Sequence, residues 1–262
     1  MKNINTNIIK GICIFLIIGI LSCQKEVEEI HVSEIEYEIR NNDSIYSFND
    51  EILNGSFKFL SNDPEEYEIV IFENGIKEGK YERHFGNFLE EGNYENGKKQ
   101  GVFKVHHKIE KYLFFQESFK DGVKHGTQEF YHTSTGKLFI RRNFNQGLED
   151  GNFESYLDNG ELFKRWVFRR DTLISGETFH KGNLIKSIRE YEKGRKQNYK
   201  VFDKRGKLIL KATYVEDDYE IIEIHDSNPP ITFKGKLEVD DRNENIKIYN
   251  QTGEVIKEIR FD

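Results

Sequence analysis

The sequence predicts an all-β protein: an elongated, single-layer antiparallel meander of stacked β-hairpin repeats of about 24 residues. Three observations predict it. Aromatic residues recur at nearly constant spacing, since Phe48, Phe72, Tyr94, Phe119, Phe144, Phe168, Tyr191 and Tyr214 are separated by steps of 22 to 25 residues. The 262 residues include 21 Phe and 13 Tyr but a single alanine, Ala212, a composition that suits strands and not helices. Hydrophobic residues make up only 36% and charged residues 32%. That is too little apolar material for one thick core, and too many aromatics for a disordered chain. A thin layer in which each unit buries its faces against its neighbours meets both conditions.

The N-terminus reads as an address. Lys2 and Lys10 precede Gly11 to Leu21, eleven residues without a charge. A membrane span needs about 20 residues, so this run is the apolar region of a secretory signal. It ends in Ile20-Leu21-Ser22-Cys23, which resembles the lipobox of bacterial lipoproteins. The resemblance implies that residues 1–22 are a signal peptide and that Cys23 receives a lipid, through which the chain contacts the membrane. The competing reading is a buried cysteine in an ordinary signal peptide. Cys13 and Cys23 are the only cysteines, and Cys13 leaves with the signal, so no internal disulfide or thiolate metal site is expected. Gln24-Lys25-Glu26-Val27-Glu28-Glu29 is similar to the lysine-then-acidic export signal of some Bacteroidota lipoproteins. Such charge runs are otherwise solvated linkers. Residues 23–32 are thus expected to be a lipid-anchored acidic tether, and the location to be the outer membrane, exposed on the cell surface where the export signal operates.

Residues 33–71 read as N-terminal capping hairpins. Ile35, Tyr37 and Ile39 alternate with charges before the Asn41-Asn42-Asp43 turn. The repeat array occupies 72–214. In each unit the aromatic is followed three residues later by a glycine (Gly75, Gly97, Gly122, Gly147, Gly194), preceded by Asn74, Asn96, Asp121, Gln146 or Lys193. Asn-Gly and Asp-Gly suit the type I′ turn, whose two central residues need φ > 0. A second glycine follows four residues later in most units, then a strand-like run with aromatics, and often a second turn. An apolar residue then stands six positions before the next aromatic, as in Leu138/Phe144 and Leu162/Phe168. That even separation puts both on one face of a strand. In the Phe168 unit Arg170-Asp171 replaces the turn pair, and Asn198 stands where a second glycine belongs. Residues 215–262 read as divergent C-terminal capping strands. Pro229-Pro230 interrupts the ladder there, and the last pair of strands turns at Gln251-Thr252-Gly253.

This grammar of aromatic-x-x-Gly-x-x-x-Gly-x-aromatic followed by a turn glycine and leucine resembles MORN repeats. It is closest to the variant found in bacterial proteins grouped as YwqK-like antitoxins. The resemblance covers 72–214 and implies contact with a protein or a lipid surface, and, through the antitoxin group, neutralisation of a toxin.

The eight histidines invite a metal, but His106 and His107 are strand neighbours that point to opposite faces, and no metal or other cofactor is expected. Five residues after the second glycine stands a column of rings, His84, His106, Tyr131 and Tyr156, with His180 and Phe202 near the same place in later units. A structural cross-strand ladder explains it, and Tyr131 and Tyr156 are carried as contact candidates. Arg141, Arg142, Arg165, Arg169 and Arg170 gather near Trp166, the only tryptophan. Arg and Trp are favoured at binding hot spots, so Trp166, Arg169 and Arg170 form a second candidate contact group against the plainer reading of solvated rim arginines. No paired-carboxylate, nucleophile-elbow or phosphate-loop pattern occurs, and the net charge of −7 argues against nucleic acid as a partner. The expected function is therefore a non-catalytic outer-membrane binding or scaffolding module whose partner is another protein. The alternatives are a toxin-neutralising protein and a peripheral lipid-contacting one. The sequence leaves the oligomeric state open.

Overall fold

The structure, a computed structural model, describes residues 27–40, 43–182, 184–215, 220–240 and 245–260. Cys23 and the signal-peptide segment lie outside these residues. The protein is an all-β meander. Strands run up and down in chain order from Gly55–Leu60 to Val255–Arg260, each antiparallel to the next. Among the described residues 21 strands belong to this long sheet, while Glu36–Arg40, Asp43–Phe48 and Glu51–Ile52 form a second, three-stranded one.

The repeat turns form as their residues dictate. Asn74-Gly75, Asn96-Gly97, Asp121-Gly122, Gln146-Gly147 and Lys193-Gly194 all have positive φ at both positions, the signature of a type I′ turn. So do Arg170 and Asp171 in the irregular unit. Successive turns interlock. The amide of Gly97 donates to Lys77 O, that of Gly122 to Lys99 O, that of Gly147 to Lys124 O and that of Asp171 to Glu149 O, each at 2.9 Å. One edge of the sheet is thereby a spine of hydrogen-bonded turns.

The second glycine has a specific use. In the unit from Phe119, Phe119 pairs with Lys124 but Glu117 pairs with Gln128. One residue of one strand faces three of the other, and Gly126, at φ +97°, takes up the excess. Where Ser175 or Asn198 replaces the glycine, the bulge holds a single extra residue. Asn198 does not adopt the left-handed conformation its position suggested. Its side chain instead donates to Glu190 at 2.8 Å and accepts from Thr213 at 3.2 Å. The opposite ends of the hairpins carry a second bulge column, where Phe114, Phe139, Phe163, Lys186 and Ile209 are the extra residues.

Period-two alternation then gives the sheet two unlike faces. Tyr81, Phe103, Phe153, Trp166 and Tyr199 share one register row on the aromatic face. Glu129, Arg141, Glu154, Arg165 and Glu177 share a row on the other. Only the ends of the aromatic face are covered. At the N-terminal end the small sheet lays Tyr46 and Phe48 against Phe57, Phe72 and Tyr81. The segment read as a tether contributes here as well. Glu28–His31 is a strand parallel to Gly55–Leu60, and Ile30 is buried in this core. Chain free of the sheet therefore extends no further than Val27 among the described residues.

At the C-terminal end the strand Ile231–Asp240 pairs through its first half with Glu220–Ile224 and through its second half with Asn245–Tyr249. It changes partner at Gly235, where a Cβ would lie 2.2 Å from the carbonyl oxygen of Tyr249. The chain turns there and brings Ile246 and Ile248 onto Val201, Leu210 and Ile222. The two prolines lie in the loop before this strand, and the ladder continues across them with Ile224 opposite Ile231. Between Phe103 and Phe179 no hydrophobic residue is buried among the described residues, so the middle of the aromatic face stays open.

Candidate functional site

The open stretch centres on the strands Leu138–Asn145, Gly151–Tyr156 and Leu162–Arg169. Phe153 and Trp166 stand opposite each other in register. Their ring centroids are 5.3 Å apart and their planes lie within 26° of parallel. The indole rests on the next strand: a Cβ on Gly176 would come within 2.8 Å of Trp166 Cδ1. Glycine at 176 therefore lets the indole lie down on the sheet instead of standing away from it. Phe139 and Phe163, the two bulge residues of these units, flank the pair. Together with Ser155, Lys164 and the turn at Leu157–Asn159 they line an open groove of about 760 Å³, with Tyr156 at its margin.

Cations lie on these rings. Lys164 Nζ is 5.0 Å from the centroid of Phe163 and 5.8 Å from that of Trp166, and the Arg142 guanidinium is 5.3 Å from Phe153. Such contacts are each worth about 0.5–1 kcal/mol at exposed sites. Next to the groove, a cavity of about 30 Å³, room for one water, separates Thr178, Lys186 and Ser187 from Asp240 and Asn245 of the C-terminal hairpin.

The same strands are built differently on the reverse face. Glu129, 7% exposed, accepts from Arg141 Nε at 2.7 Å, from Tyr131 Oη at 2.6 Å and from the Gln116 amide. Burial pushes its carboxyl up, but these three donors outweigh it and hold the pKa below the ordinary glutamate range. Glu154 repeats the arrangement one unit later, taking Tyr156 Oη at 2.7 Å and Arg165 Nε at 3.1 Å. Burial, and then the bond to its glutamate, pushes each tyrosine pKa up to about 12. Arg141 also approaches Glu154, and Arg165 approaches Glu177. The row is a zipper of alternating charge in which each arginine has partners on both sides.

The contact candidates thus part company. Tyr131 and Tyr156 sit on the charged face with their hydroxyls spent on Glu129 and Glu154. Trp166 is in the groove. Arg169 lies three residues further along the same regular strand, which turns its side chain to the opposite face, and Arg170 occupies the turn beyond; both are exposed. The structure does not bring Trp166 together with either arginine. His106 approaches Glu91, whereas His107 stacks on Tyr112 and meets Phe88 edge-on, so this pair does not share a ligand. The groove residues missed in the sequence are Phe139, Phe153, Phe163 and Lys164. A signal for two of them exists, because Leu-Phe recurs at 113–114, 138–139 and 162–163, marking the bulge column.

No family model matches this chain, and no curated protein matches its sequence.

Proposed function

We propose that the chain is a non-catalytic binding module of the bacterial outer membrane, held there by a lipid on Cys23 and engaging its partner through the open middle of its repeat sheet. The observation that carries the reading is the contrast along the aromatic face. Both ends are covered by folded-back strands, while Phe139, Phe153 and Trp166 in the middle line a groove. Leaving large apolar side chains uncovered in the middle of a sheet lowers solubility, and patches of this kind mark interaction surfaces. The MORN-like spacing of the turns agrees with an extended contact surface but does not by itself fix what is bound. The lipobox-like Ile20-Leu21-Ser22-Cys23 supplies the anchor.

The test is capture from intact cells with full-length protein, a Cys23→Ala version and a Trp166→Ala/Phe139→Ala double variant, with protease shaving alongside. Shaving of the wild type, release of Cys23→Ala into the soluble fraction and loss of a defined partner in the double variant are expected. A wild type that is protected, soluble and free of partners overturns the reading.

A further inference from the structure

The open groove carries an inference about the ligand, resting on the binding-module reading. Neighbouring cations in these strands have unlike fates. Arg141 and Arg165, on the charged face, are each paired with glutamates. Arg142 and Lys164, one residue away in sequence and on the aromatic face, are not. Among the described residues no hydrogen bond or ion pair involves the Lys164 side chain, and Arg142 Nε is buried without a partner. Glu149 senses the charge of Arg142 without forming an ion pair with it. The one carboxylate in the groove lining, Asp158, lies at the exposed turn and faces His132 at 3.2 Å. The groove therefore presents the Lys164 ammonium, which forms no ion pair among the described residues, beside an apolar floor, while the Arg142 guanidinium rests on Phe153 just outside the lining.

The shape of that floor narrows the chemistry. Trp166 lies over Gly176, and Phe153 lies nearly parallel to it at 5.3 Å. Two such rings make a platform and not a set of pockets. A platform suits a ligand with a flat apolar face. Adjacent strands are about 4.8 Å apart, so the three strands of the groove span roughly 10 Å, the size of two linked sugar rings. The Ser155 hydroxyl beside the platform has no hydrogen-bond partner among the described residues and can meet a ligand hydroxyl. We propose that the groove binds an acidic oligosaccharide, with the C–H face of a pyranose stacked on the Trp166–Phe153 pair and a carboxylate or sulfate paired with Lys164.

Trp166 is the only tryptophan, so its fluorescence reports on this site alone. The probes are hexamers of galacturonic acid and of mannuronic acid and a heparin hexasaccharide, with cellohexaose and a hexaglutamate peptide as comparisons, titrated into the protein from residue 24 onward. At least one acidic hexamer is expected to change Trp166 emission saturably, weakened by added salt, while cellohexaose is at least about tenfold weaker, since charge-assisted contacts are the stronger ones. Lys164→Gln is expected to cost about tenfold or more in affinity. Lys200→Gln on the charged face, matched in charge change, is expected to cost nothing, and circular dichroism checks that both variants fold. The proposal is overturned by silence towards all three acidic hexamers, by full affinity in Lys164→Gln, or by hexaglutamate binding as tightly as the sugars. In the last case, or if a protein partner is captured through the groove while the sugars fail, the binding-module reading stands and only the ligand class falls.

Discussion

Asp171→Gly would restore the glycine that five other repeat turns carry, and strain alone predicts that it stabilises. The structure predicts the opposite. Asp171 holds φ +61°, in the left-handed region that costs a side chain-bearing residue about 1 kcal/mol. Glycine removes that cost but gives back about 0.5–1 kcal/mol, because it has more freedom to lose on folding. The carboxylate also ties two turns together, since Asp171 Oδ1 accepts from the amide of Glu149 in the preceding turn at 2.6 Å. A hydrogen bond to a charged acceptor is worth roughly 1.5–3 kcal/mol, and the exposure of Asp171 puts this one at the low end or somewhat below, about 1 kcal/mol. The sum is a net loss of about 0.5–1 kcal/mol, equivalent to roughly 0.25–0.5 M in urea midpoint for a slope near 2 kcal/mol/M.

Arg170→Asn is the contrasting change. Arg170 has φ +48° and is exposed, and Asn tolerates that conformation, so a gain of about 0.5–1 kcal/mol is expected. Urea melts of both variants test the sign, and amide hydrogen exchange at Glu149 tests the cause. That amide should exchange faster in Asp171→Gly and be unchanged in Arg170→Asn. If Asp171→Gly raises the midpoint and leaves the Glu149 amide protected, turn interlocking is not what holds this edge and the reasoning fails.

The covered ends and the open middle should differ in sensitivity. Ile248→Ala, at a fully buried position of the C-terminal core, is expected to lose about 2–4 kcal/mol in urea melts, whereas Phe153→Ala, on the uncovered stretch, should lose about 1 kcal/mol. Ile30→Ala should also lose about 2–4 kcal/mol, because Ile30 is 2% exposed in the N-terminal core; no measurable loss would mean that Glu28–His31 is a free tether after all. For Glu129 the folded pKa is held below the ordinary value. Its contribution is therefore complete above the ordinary glutamate range near pH ~4 and is lost as pH falls through the lowered folded value. Thermal melts across acid pH should show that decline in the wild type and a shallower one in Glu129→Gln.

The regular part of the fold was legible in the sequence because local rules act at short range. An Asn-Gly or Asp-Gly pair asks for positive φ wherever it stands, and a repeat of such pairs fixes hairpin length and register together. The small residue at the second glycine was legible too, but not what happens where it changes. Asn198 has a local option, left-handed backbone, and a tertiary one, hydrogen bonds to Glu190 and Thr213 across both neighbouring strands; the tertiary option prevailed. Glu28–His31 hides for a different reason. It has a single fully buried apolar residue, Ile30, and its parallel partner begins more than twenty residues later, so its charges read as linker. The separation of Trp166 from Arg169 was available from parity alone, since three residues along a strand reverse the face. Proximity in sequence suggested a cluster that strand geometry forbids.

The zipper and the groove explain each other. A sheet whose middle lacks a covering layer cannot rely on burial on both faces, and hairpins alone are marginal in water. In these strands cohesion comes from the charged face. Arg141 bridges Glu129 and Glu154, Arg165 bridges Glu154 and Glu177, and Tyr131 and Tyr156 close the remaining carboxylate positions. Side chains with partners on both sides lose less to solvent screening than isolated surface pairs do, and each contact ties one strand to the next. That frees the alternate positions. Arg142, Phe153, Lys164 and Trp166 interleave with the zipper residues one for one along the same strands and need not complete a core. Removing a zipper residue should therefore loosen the platform from behind. Glu154→Gln, made in the charged face, is expected to broaden Trp166 emission without touching the groove, while a substitution of equal size at the covered end, such as Glu223→Gln beside Lys211, should leave that emission unchanged. Equal emission in both variants would mean that the two faces are independent and that the platform is held by its own rings.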